Sequence, residues 1–531
     1  MTHRSSSPPP PDALPPDALP PGAPTPANDP PPQADALVEA SFEPGQGELS
    51  LRSRALQGSA WTIVGLTFQN VLRMASNVIL AWLLFPEAFG LMGVVSVLLG
   101  ILQMFSDIGI GPSIIQSRRG GDQDFLDTAW TLQVIRGAAL WIVTWLIAVG
   151  LWLWGPVLHL PVHGAYADPQ LMLMIPVVGV SALISGFNST KLATSSRQIA
   201  LGRPMVLEIG SQVIVLFVTV VWAAYFESVW ALAIGTVVRT WISMLGSHWV
   251  LPGQPNRFRW NPSALHELIR FGRWIFVSTL LTGCAMQFDR VLLGGLIESD
   301  RLGVYFLAFN LATMPWTIGQ RLTAHVLFPA LSEHARRDPS ALRQKLGKAR
   351  SVFLPICLLA VGAMMLGSPL FFRYLYQAQY AEAAWIAPAL GAMVWFSLLR
   401  ASSDRALLAV GDSRALAILN GTRVVVGAAA SVVGFHLWDL GGFIAGMTVG
   451  ALVSHLLAQV LLARHHLVII GQDVRYTLLL VGMVVVGLGV PQWAANRLPG
   501  APPDMVALIV AVGVCLAVAA WAGRHIRMKL R

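Results

Sequence analysis

The sequence predicts an all-α polytopic membrane protein with about fourteen transmembrane helices. Two observations carry most of that prediction. Of 531 residues, 55% are hydrophobic and only 12% are charged, about half the charge of an ordinary soluble domain. A bilayer span takes about 20 apolar residues, so fourteen spans need roughly 280, which this composition supplies. A third observation, the sorting of basic residues between alternate loops, fixes orientation. Together they exclude a soluble enzyme, a disordered chain and a secreted disulfide scaffold. Cys284, Cys357 and Cys515 each sit in an apolar run and read as small core residues, not a redox framework or a metal site.

Residues 1–50 hold 14 of the 34 prolines and a tandem Pro-Asp-Ala-Leu-Pro repeat. Proline removes backbone donors and keeps the chain extended, so this segment reads as a disordered cytoplasmic tail. It lacks the hydrophobic region of a signal peptide. Apolar runs begin at Ala55. Spans are expected near 57–84, 88–106, 128–154, 170–188, 206–225, 228–250, 274–297, 303–325, 352–376, 383–410, 414–436, 440–463, 474–494 and 504–523. They group into an N-lobe over 51–250, a cytoplasmic amphipathic linker over 251–273, a C-lobe over 274–464, and two further helices with a basic end over 465–531. Segments 261–273 and 340–350 read as amphipathic interfacial helices preceding spans.

The net charge is +9. In a membrane protein that excess marks cytoplasmic loops, not nucleic acid. One set of alternate loops and ends carries 25 Lys and Arg, among them Arg118/Arg119, Arg257/Arg259 and six from Arg336 to Arg350. The opposite set carries only Arg301, Arg373 and Arg497. Both termini are therefore expected in the cytoplasm.

The chain also aligns with itself at an offset of 213. Trp61, Val64, Val78, Leu80, Leu83 and Gly90 fall on Trp274, Val277, Val291, Leu293, Leu296 and Gly303. Pro176 and Gly179 meet Pro388 and Gly391 at 212. Six spans separate the copies, so two six-helix repeats run parallel about an axis along the membrane normal. Transporters so built bind substrate between the halves and rock them to alternate access.

Eight arginines fall within spans or near their ends: Arg73, Arg136, Arg239, Arg290, Arg321, Arg400, Arg405 and Arg423. A central arginine costs at least ~2.5–3.5 kcal/mol on insertion scales, so it needs a partner or a wet cavity. Several share a helical face with other polar groups: Gln69, Arg73 and Asn77; Gln133 and Arg136; Thr236, Arg239 and Ser243; Gln287 and Arg290; Asn420 and Arg423. Asn310, Thr313, Thr317 and Gln320 line span 8. Acidic groups inside are fewer, chiefly Asp289 and Asp404. The surplus of guanidinium suits an anionic, phosphorylated substrate and not a cationic drug. Arg73, Arg136 and Arg239 are the leading cavity candidates. Arg321, Arg400 and Arg405 also fit a snorkelling role at the cytoplasmic edge. Asp289, Arg400 and Asp404 are candidates either for ion coupling or for structural ion pairs; Arg400 and Asp404 are spaced i, i+4.

No Gly-x4-Gly-Lys-Ser/Thr loop, His-Glu-x-x-His motif or serine elbow is present, so neither ATP hydrolysis nor an enzyme's chemistry is expected. No cofactor is implied.

Two stretches, Gly58-Ser-Ala-Trp61 through Leu83-Leu-Phe-Pro-Glu-Ala-Phe-Gly-Leu-Met92 and Phe105-Ser-Asp-Ile-Gly-Ile-Gly-Pro-Ser-Ile-Ile-Gln116, resemble the Wzx-type oligosaccharide flippases. Thr128-Ala-Trp-Thr-Leu-Gln-Val-Ile-Arg136 and Gly303 to Ser332 do so too. This is the polysaccharide-transport branch of the MOP superfamily, and the resemblance covers roughly residues 55–470. It implies two lobes forming a V, as in MATE transporters. It implies translocation of undecaprenyl-diphosphate-linked repeat units from the cytoplasmic to the periplasmic leaflet of a bacterial inner membrane. Polysaccharide polymerase and export proteins are the implied partners, besides membrane lipids. Related flippases use cationic cavity residues for the diphosphate. By position in equivalent spans, that role carries over to Arg73, Arg136, Arg239 and Arg290, with Asn77 beside them. The proline-rich leader departs from the family's short amino terminus. A multidrug or metabolite antiporter of the same superfamily is the alternative.

Overall fold

The computed structural model describes residues 68–105, 109–117, 119–154, 163–197, 202–327, 331, 342–497 and 503–530, all within one compact unit. The proline-rich tail, Trp61, Val64, Asp107 and Arg118 lie outside them. The described residues are almost wholly helical. In chain order the helices are α1 (68–83), α2 (Pro86–Phe105), α3 (Ile110–Gln116), α4 (Gln123–Trp152), α5 (Gln170–Gly186), α6 (Lys191–Arg197), α7 (Gly202–Phe226) and α8 (Trp230–Trp249). Then follow α9 (Pro262–Leu296), α10 (Ser299–Ala312), α11 (Met314–Leu322), α12 (Leu342–Leu375), α13 (Ala383–Ala409), α14 (Ser413–Arg464), α15 (Ile470–Arg497) and α16 (Pro503–Leu530).

By length and composition, nine helices among the described residues are able to cross a membrane, and the bent pair α5–α6 makes a tenth. One of the nine, α14, is a hairpin. Its backbone leaves helical geometry at Trp438 and Asp439, where Asp439 has φ of 52°. Gly442, Gly446 and Gly450, one turn apart on the second arm, lie against the backbone of Gly434, Ala430–Ser431 and Gly427 on the first. Small residues at this spacing let two membrane helices touch backbone to backbone. With α1, α8 and α9 added, and α10–α11 taken as one span, the described helices make fourteen crossings.

The repeat is visible in how the two halves meet. A Cβ at Gly90 would strike the carbonyl of Ser299, and one at Gly303 would strike the carbonyl of Pro86. Each residue and its counterpart are 213 positions apart, the self-complementary pattern of a two-fold contact. Two further contacts follow the same axis. Ala165 N donates to Ile297 O at 2.9 Å, and Tyr380 Oη donates to Leu84 O at 2.7 Å. Each joins the short turn of one half to the end of a span in the other. Tyr166 Oη adds a bond to Val291 O (3.0 Å) and Trp82 Nε1 one to Leu375 O (2.8 Å). The halves are thus sealed at the ends bearing these turns.

Two expectations need correction. The predicted interfacial helices 261–273 and 340–350 are not separate elements. Residues 262–273 are the first turns of α9, which starts where Asn261 Oδ1 accepts from Ser263 N and Ala264 N, with Pro262 preset for the first turn. Residues 342–350 likewise begin α12. Gly272 and Gly347 in these stretches do not interrupt the helices. And Arg350, counted with the exposed cytoplasmic charges, is fully buried.

Candidate functional site

Arginines from both halves come together as a group. Arg73 on α1 is exposed and donates to Asn70 Oδ1 at 3.0 Å. Arg239 on α8 and Arg321 on α11 lie close enough to repel it electrostatically. Arg321 is presented by a broken span. α10 ends at Ala312, and α11 restarts at Met314-Pro315, where proline is suited to a first turn. One carboxylate answers this group: Glu208 on α7 forms an ion pair with Arg239. Both partners are about half exposed, so water screens the pair. Asn77, on the same face of α1, is half-buried.

The other sequence-derived candidates lie elsewhere. Arg136 lines a cavity of about 460 Å3 within the first half, together with Gln103, Gln133, Asn188, Ser189 and Ser196. Gln133 lines this cavity and also caps α5. Its Nε2 donates to the carbonyls of Ser185, Gly186 and Asn188 at 3.1–3.2 Å, which have no partner further along that helix.

Arg290 and Asp289 diverge, as neighbours on a helix must. Arg290 stacks over Phe309 at 4.5 Å and donates to Gln287 Oε1 at 2.9 Å. Asp289 is buried, accepts from Tyr305 Oη at 3.2 Å, and feels Arg423 on α14. Arg400 approaches Asp404 at 3.5 Å and also donates to Asn420 (3.0 Å) and Ser454 (3.2 Å). Arg405 reaches Gln320 at 3.4 Å. These groups belong to a polar network inside the second half and do not join the Arg73 group.

A second part of that network was not anticipated. Arg350 on α12 pairs with buried Asp473 on α15. Asp473 also accepts from Gln459 Nε2 at 2.8 Å and lies 3.3 Å from His455 Nε2. The only sequence signal was an acidic residue at the start of span 13, opposite a basic one at the start of span 9. Two of the outer arginines are tied down: Arg301 by Glu382 (3.2 Å) and Asp439 (2.7 Å), Arg373 by Asp504.

Two pseudo-symmetric helical halves that meet at the Gly90–Gly303 crossing, with arginines of both halves grouped together, define a class of architecture, the polytopic all-α membrane fold. The structure superposes on the lipid II flippase MurJ in an inward closed conformation with a TM-score of 0.67, over 88% of this chain and 99% of that one, at 10% identity. It superposes on an inward-facing multidrug resistance MATE transporter with a TM-score of 0.57, over 73% and 92%, at 18% identity. At such identities the likeness is one of fold.

The chain belongs to the polysaccharide biosynthesis protein family, whose model matches residues 79–385. Among curated relatives, the lipopolysaccharide biosynthesis protein WzxC of Escherichia coli K12 is 24% identical over 310 residues, 57% of this chain and 59% of that one. The teichuronic acid biosynthesis protein TuaB of Bacillus subtilis 168 is 22% identical over 248 residues, 46% and 48%. The matches thus span about half the length of these relatives.

Proposed function

We propose that this protein translocates undecaprenyl-diphosphate-linked oligosaccharide repeat units from the cytoplasmic to the periplasmic leaflet, as a non-enzymatic flippase of the inner membrane with both termini in the cytoplasm. The observation that carries the reading is the arginine group: Arg73 and Arg239 from one half and Arg321 from the other, with Glu208 as their single ion-pair partner among the described residues. Three guanidiniums held within repelling distance favour a multivalent anion that bridges them. A diphosphate presents several oxygens to such forks.

In this reading the protein works by alternating access. The Gly90–Gly303 crossing closes the space between the halves at one end. The charge of the loops favours the periplasmic side for that end, and the reading takes the present arrangement as the one that loads from the cytoplasm. An anion that draws Arg321 towards Arg73 and Arg239 closes the loading end. Opening then requires the glycine crossing to part. Arg290 and Arg136 stand outside the Arg73 group, so their contribution falls on the glycan or on the packing of each half. The membership of a polysaccharide family supports a glycan cargo; polymerase and export proteins are the partners this reading implies.

Binding tests the reading. Purified protein should be stabilised against heat by undecaprenyl diphosphate, and far less by undecaprenyl monophosphate. The Arg73→Gln/Arg321→Gln variant should lose the difference. Equal stabilisation by both lipids, or none with ethidium binding tightly, would favour the antiporter alternative.

A further inference from the structure

The linker between α8 and α9 is not slack chain. Backbone amides of Arg257, Arg259 and Asn261 donate to Asp127 Oδ1 (3.1 Å), Thr131 Oγ1 (3.1 Å) and Thr128 Oγ1 (3.2 Å) on α4. Asn256 is held by Ser189 and Thr190 at 2.7 Å each. Alternate amides facing one helix make this segment an extended ribbon. Arg259 and Phe258 reach back to α4, at Asp124 and at the Trp130 ring (4.7 Å between centroids), and Arg257 and Trp260 flank them. All four are exposed, Phe258 to 66% and Trp260 to 52%. Trp249, at the adjoining end of α8, is 81% exposed, and Arg270 is exposed on α9. Of these arginines only Arg259 has an ion pair among the described residues, with Asp124.

We propose that residues 249–260 form a docking strip for anionic phospholipid headgroups of the cytoplasmic leaflet. The exposed aromatic side chains suit the level where headgroups meet acyl chains, and the arginines beside them meet lipid phosphates. Charge complementarity selects the occupant. Among the described residues Arg257 and Arg270 have no acidic ion-pair partner, and an acidic protein partner would leave Trp249 and Trp260 in water. The ribbon is bonded to α4 and runs directly into α9, whose first turn buries Ala264 and Leu268 against Ile110 and Phe125. The strip therefore anchors the first half to the leaflet from which cargo is loaded.

Tryptophan quenching tests this in nanodiscs of phosphatidylcholine carrying a small fraction of brominated phosphatidylglycerol. The signal is the quenching lost in the Trp249→Phe/Trp260→Phe variant. It should exceed that from brominated phosphatidylcholine at equal fraction and fall with salt. Arg257→Gln, which breaks no contact, should weaken the preference about fivefold, and Arg257→Gln/Arg259→Gln about 25-fold. Equal quenching by both lipids, an unchanged preference in both arginine variants, or displacement of the lipid by millimolar inorganic phosphate would each overturn the proposal.

Discussion

Replacing Gly303 by valine puts the sealed end under direct load. The new Cβ would occupy the space of the Pro86 carbonyl, a backbone group that cannot rotate away. α2 and α10 must then part by on the order of 1–2 Å to restore ordinary contact distances. Overpacking of this kind costs about 1–3 kcal/mol. The cost falls on the sealed state alone, because the crossing is absent once the halves separate. At about 1.4 kcal/mol per decade, the open-outward population should rise about 5- to 150-fold. Gly90→Val should act alike, since it meets Ser299 across the same axis. The double variant should add little once the helices are apart. The reporter is Ala165→Cys in a background free of Cys284, Cys357 and Cys515. Ala165 is 1% exposed in the sealed state, and a membrane-impermeant maleimide added to the periplasmic side should label it several-fold faster in Gly303→Val. Unchanged labelling in a protein that still folds and inserts would refute the view that this crossing is the seal.

Two other substitutions separate structural from functional charge. Asp473→Asn strands Arg350, which is fully buried, and should cost about 3–5 kcal/mol in an unfolding titration; Arg350→Met/Asp473→Leu should recover most of that. Glu208→Gln, by contrast, removes a half-exposed pair worth under about 1 kcal/mol. It should leave stability nearly unchanged and tighten binding of undecaprenyl diphosphate, because Arg239 is released from its competitor.

Much of this architecture is legible in the residues because lipid imposes two strong signals, apolar length and loop charge. Even the symmetry contact was marked. Gly90 and Gly303 match at the offset of 213, though only the structure shows that they match because they cross. What pattern cannot give is which faces meet. Arg321 reads equally as an edge residue, since the break at Thr313–Pro315 that turns it towards Arg73 belongs to tertiary packing. Arg350 reads as a loop charge because its partner is 123 positions away. Gln133 shares a face with Arg136, yet its amide is spent on the end of α5. The interfacial helix expected at 261–273 is not a separate element because the amphipathic segment and the apolar one after it form a single helix, which Gly272 does not interrupt.

The sidedness of lipid-linked glycans tests the proposed translocation. In cells lacking this protein, lipid-linked repeat units would be labelled with a membrane-impermeant sugar oxidant before and after permeabilisation. The account predicts complete units protected until the membrane is opened, restored to the outer leaflet by wild-type protein but not by Arg73→Ala or Arg321→Ala. Units already exposed outside, with heightened ethidium sensitivity as the only defect, would contradict it.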